Sequence, residues 1–270
     1  MFDSSLVHIS DANFKSLYQG RVTPILRFQE SQLAFTRGSF SHFNKVLFFL
    51  EGGTYVFDGL HVSYGQMVYQ SEPYMVNSIV FDVSAAELTI SNATFLGIFS
   101  KYSSPIIYIE NDPQASEKHS LSITGSRFAN NVANDSAGVL MAVNTNVTVD
   151  GCTFENNTAL SKDGGALYLD CQDTISSSCS YNISNSIFKN NMAGVNGGAI
   201  KYTFYAPNIS KNNTFVGNQA KYGSTVASYP VQMRIFEKSA SRLLGLLPKE
   251  DNAKLNLSST ALVFELTEFL

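Results

Sequence analysis

The sequence predicts an all-β solenoid, a single domain wound from short strands into successive coils. Three observations predict it. A strand unit of eight residues recurs along the chain, the spacings between copies cluster near the length of one coil, and the composition disfavours long helices. Only 15% of the 270 residues are charged and 44% are hydrophobic, while 23 Asn and 34 Ser make up about a fifth of the chain. Asn and Ser compete with the helical backbone for hydrogen bonds and favour turns and exposed strand.

The unit carries apolar residues at positions one and three, a polar or turn-forming residue at five and usually Phe at eight. Its first copy is Val7-His8-Ile9-Ser10-Asp11-Ala12-Asn13-Phe14, and its second runs from Leu33 to Phe40. A weaker copy, 55–62, ends on Val62 in place of Phe. Further copies begin at Leu88, Leu121, Val147 and Tyr181 and close on Phe95, Phe128, Phe154 and Phe188; the copy closing on Phe215 has one extra residue after Ile209. Leu121 and Ile123 alternating with Ser122 and Thr124 describe a half-buried strand. Asn92, Gly125, Gly151 and Asn185 at position five suit a bend, because Asn and Gly accept unusual backbone angles. Successive closing positions are 26, 22, 33, 33, 26, 34 and 27 residues apart. A spacing near 26 fits one coil of three strands and three turns. Spacings of 33 and 34 add an insertion, with 111–120 and 171–179 as candidates.

A second signature marks the later copies. Phe128, Phe154, Phe188 and Phe215 are each followed three residues on by Asn: Asn131, Asn157, Asn191 and Asn218. A small-residue step then precedes an apolar pair, as in Ala137-Gly138-Val139-Leu140, Gly164-Gly165-Ala166-Leu167 and Gly197-Gly198-Ala199-Ile200, decaying to Gly223-Ser224-Thr225-Val226. In a solenoid, inward Asn at equivalent turns stack as a hydrogen-bonded ladder, and Phe14, Phe40, Phe95, Phe128, Phe154, Phe188 and Phe215 stack as an aromatic one. Glycine at the corner admits a turn where a side chain would clash.

The pairing of F-x-x-N with G-G-A-[LI], as in Phe154-Glu155-Asn156-Asn157 and Gly164-Gly165-Ala166-Leu167, resembles the chlamydial-type polymorphic outer-membrane protein repeat. That resemblance implies a right-handed parallel β-helix of the pectin-lyase-like class. Together with Tyr205-Ala206-Pro207-Asn208 and Ala227-Ser228-Tyr229-Pro230, the repeats are also similar to those of large protist surface proteins, in which such a β-helix precedes membrane spans. The two-part motif covers about 128–230, and the weaker strand unit reaches back to residue 7. Phe95 lacks the following Asn, and the earlier copies lack Gly-Gly. The expected organisation is a single-domain right-handed parallel β-helix of eight to ten coils over 1–230. A C-terminal cap or final coil follows over 231–270. Within it, 236–247 reads as a short amphipathic helix, 248–254 as a polar loop, and 255–257 and 261–266 as strands.

The charge pattern narrows the function. With 22 acidic against 18 basic residues the net charge is −4, which argues against a nucleic-acid-binding surface and a polybasic membrane patch. No run approaches the ~20 apolar residues of a membrane helix. Met1-Phe2-Asp3-Ser4-Ser5 has no basic or apolar leader character, leaving a cytosolic chain or a piece of a longer one. Asp58, Asp82, Glu87, Asp150, Glu155, Asp163, Asp170 and Asp173 are scattered and read as solvated turn carboxylates. His8, His42, His61 and His119 lack ligand spacing. No catalytic residue, metal ligand or cofactor site is assigned.

Glycosylation sequons occur at Asn92, Asn134, Asn146, Asn156, Asn182, Asn208, Asn212 and Asn256. Cys171 and Cys179 bracket an insertion, where either a disulfide closing a small loop or two reduced thiols fits; Cys152 is left over. The expected role is a non-catalytic surface or extracellular ectodomain acting in adhesion, recognition or spacing, with a protein or glycan ligand. One alternative is a carbohydrate-active enzyme or carbohydrate-binding module, which a row of acidic residues with an Arg or Lys on one face would favour. The other is an intracellular scaffold.

Overall fold

The computed structural model describes residues 2–3, 6–17, 24–67, 77–101, 104–113, 119–171, 179–228, 233–239 and 260–266. The chain divides into two compact units, Met1–Ser228 and Tyr229–Leu270.

The first unit is a parallel β-helix. Its first sheet stacks Leu6–Ser10, the later half of Leu26–Thr36, the later half of Phe48–Asp58, Glu87–Ser91, Ser120–Thr124, Asn146–Asp150, Tyr181–Ser184 and Asn208–Ile209. The second stacks Asn13–Leu17, Ser39–Phe43, His61–Met67, Thr94–Leu96, Arg127–Ala129, Thr153–Glu155, Ile187–Lys189 and Thr214–Val216. The third runs from Phe2–Asp3 through the earlier halves of the two eleven-residue strands to Phe81–Ser84, Ile107–Glu110, Leu140–Val143, Leu167–Asp170, Ile200–Tyr202 and Val226–Ser228. Every pairing in this unit is parallel, so between the first and last coils each strand's backbone groups are met by the coils before and after it.

The eight closing positions of the repeat are register partners without a slip: Phe14, Phe40, Val62, Phe95, Phe128, Phe154, Phe188 and Phe215. Rings stack at 4.7 Å for Phe14–Phe40, and at 4.7 to 5.0 Å along Phe95, Phe128, Phe154, Phe188 and Phe215. Val62 interrupts the column, and the third sheet supplies the missing rings. Phe48 meets Phe40 at 5.3 Å and Phe81 at 5.1 Å, and Phe81 meets Phe95 at 6.1 Å. Inward rows such as Ile9, Phe35, Phe57, Ile90, Ile123, Val149 and Ile183 complete the interior.

The insertions fall between strands of different sheets. One lies between Ile107–Glu110 and Ser120–Thr124, a second between Leu167–Asp170 and Tyr181–Ser184. The third long spacing, unassigned from the sequence, falls between His61–Met67 and Phe81–Ser84.

In the second unit, Met233–Ser239 and Thr260–Leu266 pair antiparallel over seven positions, from Met233 with Leu266 to Ser239 with Thr260. The helix expected from residue 236 is corrected here: Phe236 to Ser239 belong to a strand whose backbone groups are met by its antiparallel partner. Residues 240–247, the loop at 248–254 and the strand at 255–257 lie outside the described residues.

Candidate functional site

The coil corners carry the most regular chemistry of the molecule. Position five is left-handed in seven successive copies: Asp11, Arg37, Gly59, Asn92, Gly125, Gly151 and Asn185 have φ from 50 to 67°. A second left-handed corner follows two residues after each closing position. Ser16, His42, Tyr64, Gly97, Asn130, Asn156, Asn190 and Gly217 have φ from 53 to 66°. Left-handed backbone costs an L-residue about 1–2 kcal/mol, least for Asn and Gly, so the parallel ladders on either side must hold residues such as Tyr64 and Arg37 in place.

Between second and third sheets stands the Asn ladder. Asn131 Nδ2 donates to Asn157 Oδ1, Asn157 Nδ2 to Asn191 Oδ1 and Asn191 Nδ2 to Asn218 Oδ1, each at 3.0 Å. The second hydrogen of each Nδ2 goes to a carbonyl one coil back: Phe95 O for Asn131, Phe128 O for Asn157, Phe154 O for Asn191 and Phe188 O for Asn218, at 3.0 to 3.2 Å. Backbone N–H groups of Asn131, Asn157 and Asn191 meet the Oδ1 of the next coil. Asn157 and Asn191 therefore use both donors and both lone pairs in a fully buried setting. In the Phe95 coil, Ile98 takes the Asn position, and its backbone N–H still donates to Asn131 Oδ1 at 3.1 Å.

The glycine step answers to backbone approach. A Cβ on Gly138, Gly165 or Gly198 would stand 2.0 Å from the carbonyl oxygen of Gly165, Gly198 or Ser224 in the next coil. Only glycine fits there.

The sequon asparagines lie on the first sheet or at corners. Asn182 and Asn208 project from adjacent strands of the first sheet, and Asn182 Oδ1 accepts from Asn208 Nδ2 at 3.3 Å. Asn92, Asn134, Asn156 and Asn212 stand exposed at corners, and Asn146 is half-buried at a strand start. Asn92 donates to Asp58 Oδ1 at 2.8 Å, Asn156 to Asn130 Oδ1 at 3.2 Å and Asn212 to Asn185 Oδ1 at 3.2 Å. A carboxamide nitrogen has two hydrogens, so one such bond coexists with a sugar in place of the other. Asn256 lies outside the described residues. Cys171 and Cys179 are joined by a disulfide, with Cα atoms 6.1 Å apart. Cys152 is free and buried, and burial pushes its thiol up to about 11, which leaves it a poor nucleophile.

The acidic residues divide by environment. Asp58 Oδ1 accepts from Ser91 Oγ at 2.7 Å and Asn92 Nδ2 at 2.8 Å; Asp150 Oδ1 repeats the arrangement with Ser184 and Asn185 at 2.6 and 2.7 Å. These bonds hold both carboxyls below the ordinary range. Glu155 is held low by hydrogen bonds from Lys189 and Arg127 across three coils of the second sheet. The reading of solvated turn carboxylates is corrected for two residues. Asp163 is buried at a corner, its Oδ1 accepting from the backbone N–H and Nδ2 of Asn196 at 3.0 and 2.8 Å. Asp82 is buried on the third sheet, and burial pushes its carboxyl up to about 6. Asp173 lies outside the described residues. His8, His42 and His61 are exposed and apart, and His119 Nδ1 lies 3.5 Å from Glu87. Among the described residues, no group of three His, Cys, Asp or Glu is placed to hold a metal ion.

The outer surface of the third sheet differs from the others. One row runs Arg27, Phe49, Asp82, Tyr108, Met141, Tyr168 and Lys201; beside it run Gln29, Glu51, Ser84, Glu110, Val143 and Asp170. No sequon asparagine lies in its described strands. Tyr108 Oη donates to Glu110 Oε2 at 2.7 Å, and burial followed by this hydrogen bond raises its phenol well above the usual range. Lys201 is fully buried, which pushes its ammonium down, while Asp163 acts in the opposite sense.

A comparison with protein families matches the Chlamydia polymorphic membrane protein repeat to residues 151–170 and 185–202. Each match opens at a left-handed position five, Gly151 or Asn185, and covers the second-sheet strand, the Asn-ladder corner and the third-sheet strand ending at Asp170 or Tyr202. The chain thus carries repeats of the polymorphic membrane protein type, wound as a parallel β-helix. No curated protein and no solved structure matches the chain. Among the described residues, no helix is long and apolar enough to cross a membrane.

Proposed function

We propose that this chain is an outward-facing β-helix displayed on a cell surface as part of a larger membrane protein, acting in adhesion, recognition or rigid spacing. The observation that carries the reading is the placement of the sequons. All seven within the described residues put Asn on the first sheet or at a corner, six exposed and one half-buried, and none in the third-sheet strands. The bridged Cys171–Cys179 pair suits the same oxidising compartment. The family repeat, which is named for membrane proteins, supports a surface location. Eight stacked strands span about 34 Å, long enough to hold a binding surface away from a membrane. Labelling intact cells of the native source with a membrane-impermeant biotin reagent tests it. Display predicts that the chain is labelled without permeabilisation; labelling only after permeabilisation contradicts it.

A second reading, carbohydrate handling, is favoured by one observation. The third sheet carries Glu51, Glu110 and Asp170 together with Arg27 on its outward face.

A further inference from the structure

The corner that follows the second sheet holds a groove of about 280 Å³ in the later coils. It crosses three of them. Asn156 and Thr158 line it from the first, Asn190 and Met192 from the second, and Gly217 and Gln219 from the third. Thr158 and Met192 are register partners, Met192 bridges to Gln219, and Asn156, Asn190 and Gly217 occupy the second left-handed corner of their coils. Neighbouring coils are about 4.8 Å apart, so the groove runs about 9.6 Å along the solenoid axis. Its volume lies at the small end of ligand sites, about 300 Å³, and suits one ring rather than a chain of them.

The lining matches a neutral, hydroxyl-bearing ring. None of its residues carries a charge. Asn191 also borders the groove, but its carboxamide is spent in the buried ladder and supplies only a wall. Asn190 and Gln219 are exposed, and among the described residues their carboxamides enter no side-chain hydrogen bond. Each has two donor hydrogens and an acceptor oxygen to offer. The exposed Met192 thioether adds a polarizable apolar surface for ring C–H groups. Gly217 keeps the space open: a Cβ there would stand 2.2 Å from Asn190 Oδ1 and push that carboxamide aside.

Both residues that define the sequon at 156–158, Asn156 and Thr158, stand in this groove. Asn156 Nδ2 gives one hydrogen to Asn130 Oδ1 on the preceding coil, and the groove extends over the two following coils. We propose that the groove seats the first sugar of a glycan carried on Asn156, which staples the three coils together. Transfer forms a bond from the sugar C1 to Nδ2 and breaks the bond from C1 to the diphosphate of a lipid-linked donor. The lipid diphosphate leaves, and the second Nδ2 hydrogen departs as a proton.

This assignment rests on the surface-display reading, in which the chain is glycosylated. Folded glycoprotein from the native source is treated with an amidase that hydrolyses the bond between Asn and its sugar, and release is timed at each site by peptide mass spectrometry. Release from Asn156 is expected to be about tenfold slower than from the exposed corners Asn92 and Asn212, the effect of one or two polar contacts. Urea unfolding should abolish the difference. Gln219→Ala and Met192→Ala, both at exposed positions, should each bring Asn156 toward the faster rate, whereas Ser122→Ala on the first sheet should leave it slow. Sugars elsewhere with Asn156 bare, release from Asn156 as fast as from Asn92, or slow release retained in both groove variants would overturn the proposal alone. Bare asparagine at every sequon would overturn it together with the display reading.

Discussion

The Oδ1 of Asn191 receives two hydrogen bonds from Asn157, one from Nδ2 and one from the backbone N–H, both at 3.0 Å, although the residues are 34 apart in sequence. The contact fixes the corner of one coil on the corner of the next. Because the same geometry recurs from Asn131 to Asn218, removing one member strands polar groups on both sides.

Asn157→Ala should therefore be far more damaging than its small volume change suggests. It strips partners from Asn131 Nδ2, the Asn131 N–H, Phe128 O and Asn191 Oδ1, all buried groups. A loss of about 3 kcal/mol is expected, the desolvation cost of stranded polar groups. Urea unfolding with an unchanged midpoint would contradict the ladder.

The aromatic column predicts that both the loss and the gain of a ring destabilise. Phe188→Ala should cost about 3–5 kcal/mol, since its ring packs between Phe154 and Phe215. Val62→Phe, which restores the repeat pattern, should destabilise by about 1–3 kcal/mol, because Phe48 and Phe81 already complete the aromatic path between Phe40 and Phe95. Thermal melting of the two variants checks both; a stabilised Val62→Phe would show free space where rings are placed.

Glycines of two kinds should respond differently. Gly165→Ala forces a Cβ to 2.0 Å from Gly198 O and should prevent close stacking of those coils, seen as loss of the cooperative transition. At Gly151, φ is 62° and a Cβ would meet its nearest neighbouring atom only at 3.9 Å. Asn should be tolerated there within about 1 kcal/mol, since Asn185 holds the same left-handed backbone at the next copy's position five.

Asp82 imparts a pH dependence. Its folded pKa, about 6, lies above the ordinary carboxylate value, so the neutral form is favoured in the folded state. Its contribution is fully present below pH 4 and is lost as pH rises through about 6, a penalty of about 3 kcal/mol at neutral pH. Asp82→Asn should raise stability at pH 7.5 and flatten the pH 4–7 profile. A variant with the parental pH slope would assign the effect elsewhere.

The sequence exposed the periodic interior because stacking forces like residues into like positions: the eight closing positions from Phe14 to Phe215, seven Phe and Val62, are spaced by 22 to 34 residues yet are register partners. Asn131, Asn157, Asn191 and Asn218 were visible for the same reason. The second left-handed corner was hidden because its occupants differ chemically, from His42 and Tyr64 to Asn190 and Gly217, and only the backbone is shared. Asn at 130, 156 and 190 was the available signal. The outward row of the third sheet left no periodic mark, because its occupants change from Arg27 and Phe49 to Asp82, Tyr108 and Met141. Asp163 looked like a solvated turn residue because burial by a neighbouring coil leaves no local mark.

The proposed maturation of this β-helix in an oxidising, glycosylating compartment is open to direct measurement. Peptide mass spectrometry on protein from its native source tests it most directly, by mapping Asn occupancy and the Cys171–Cys179 linkage. Sugars at several of Asn92, Asn134, Asn182, Asn208 and Asn212, with the two cysteines linked, are the predicted result. Bare asparagines at all of them, together with free thiols at Cys171 and Cys179, would contradict it.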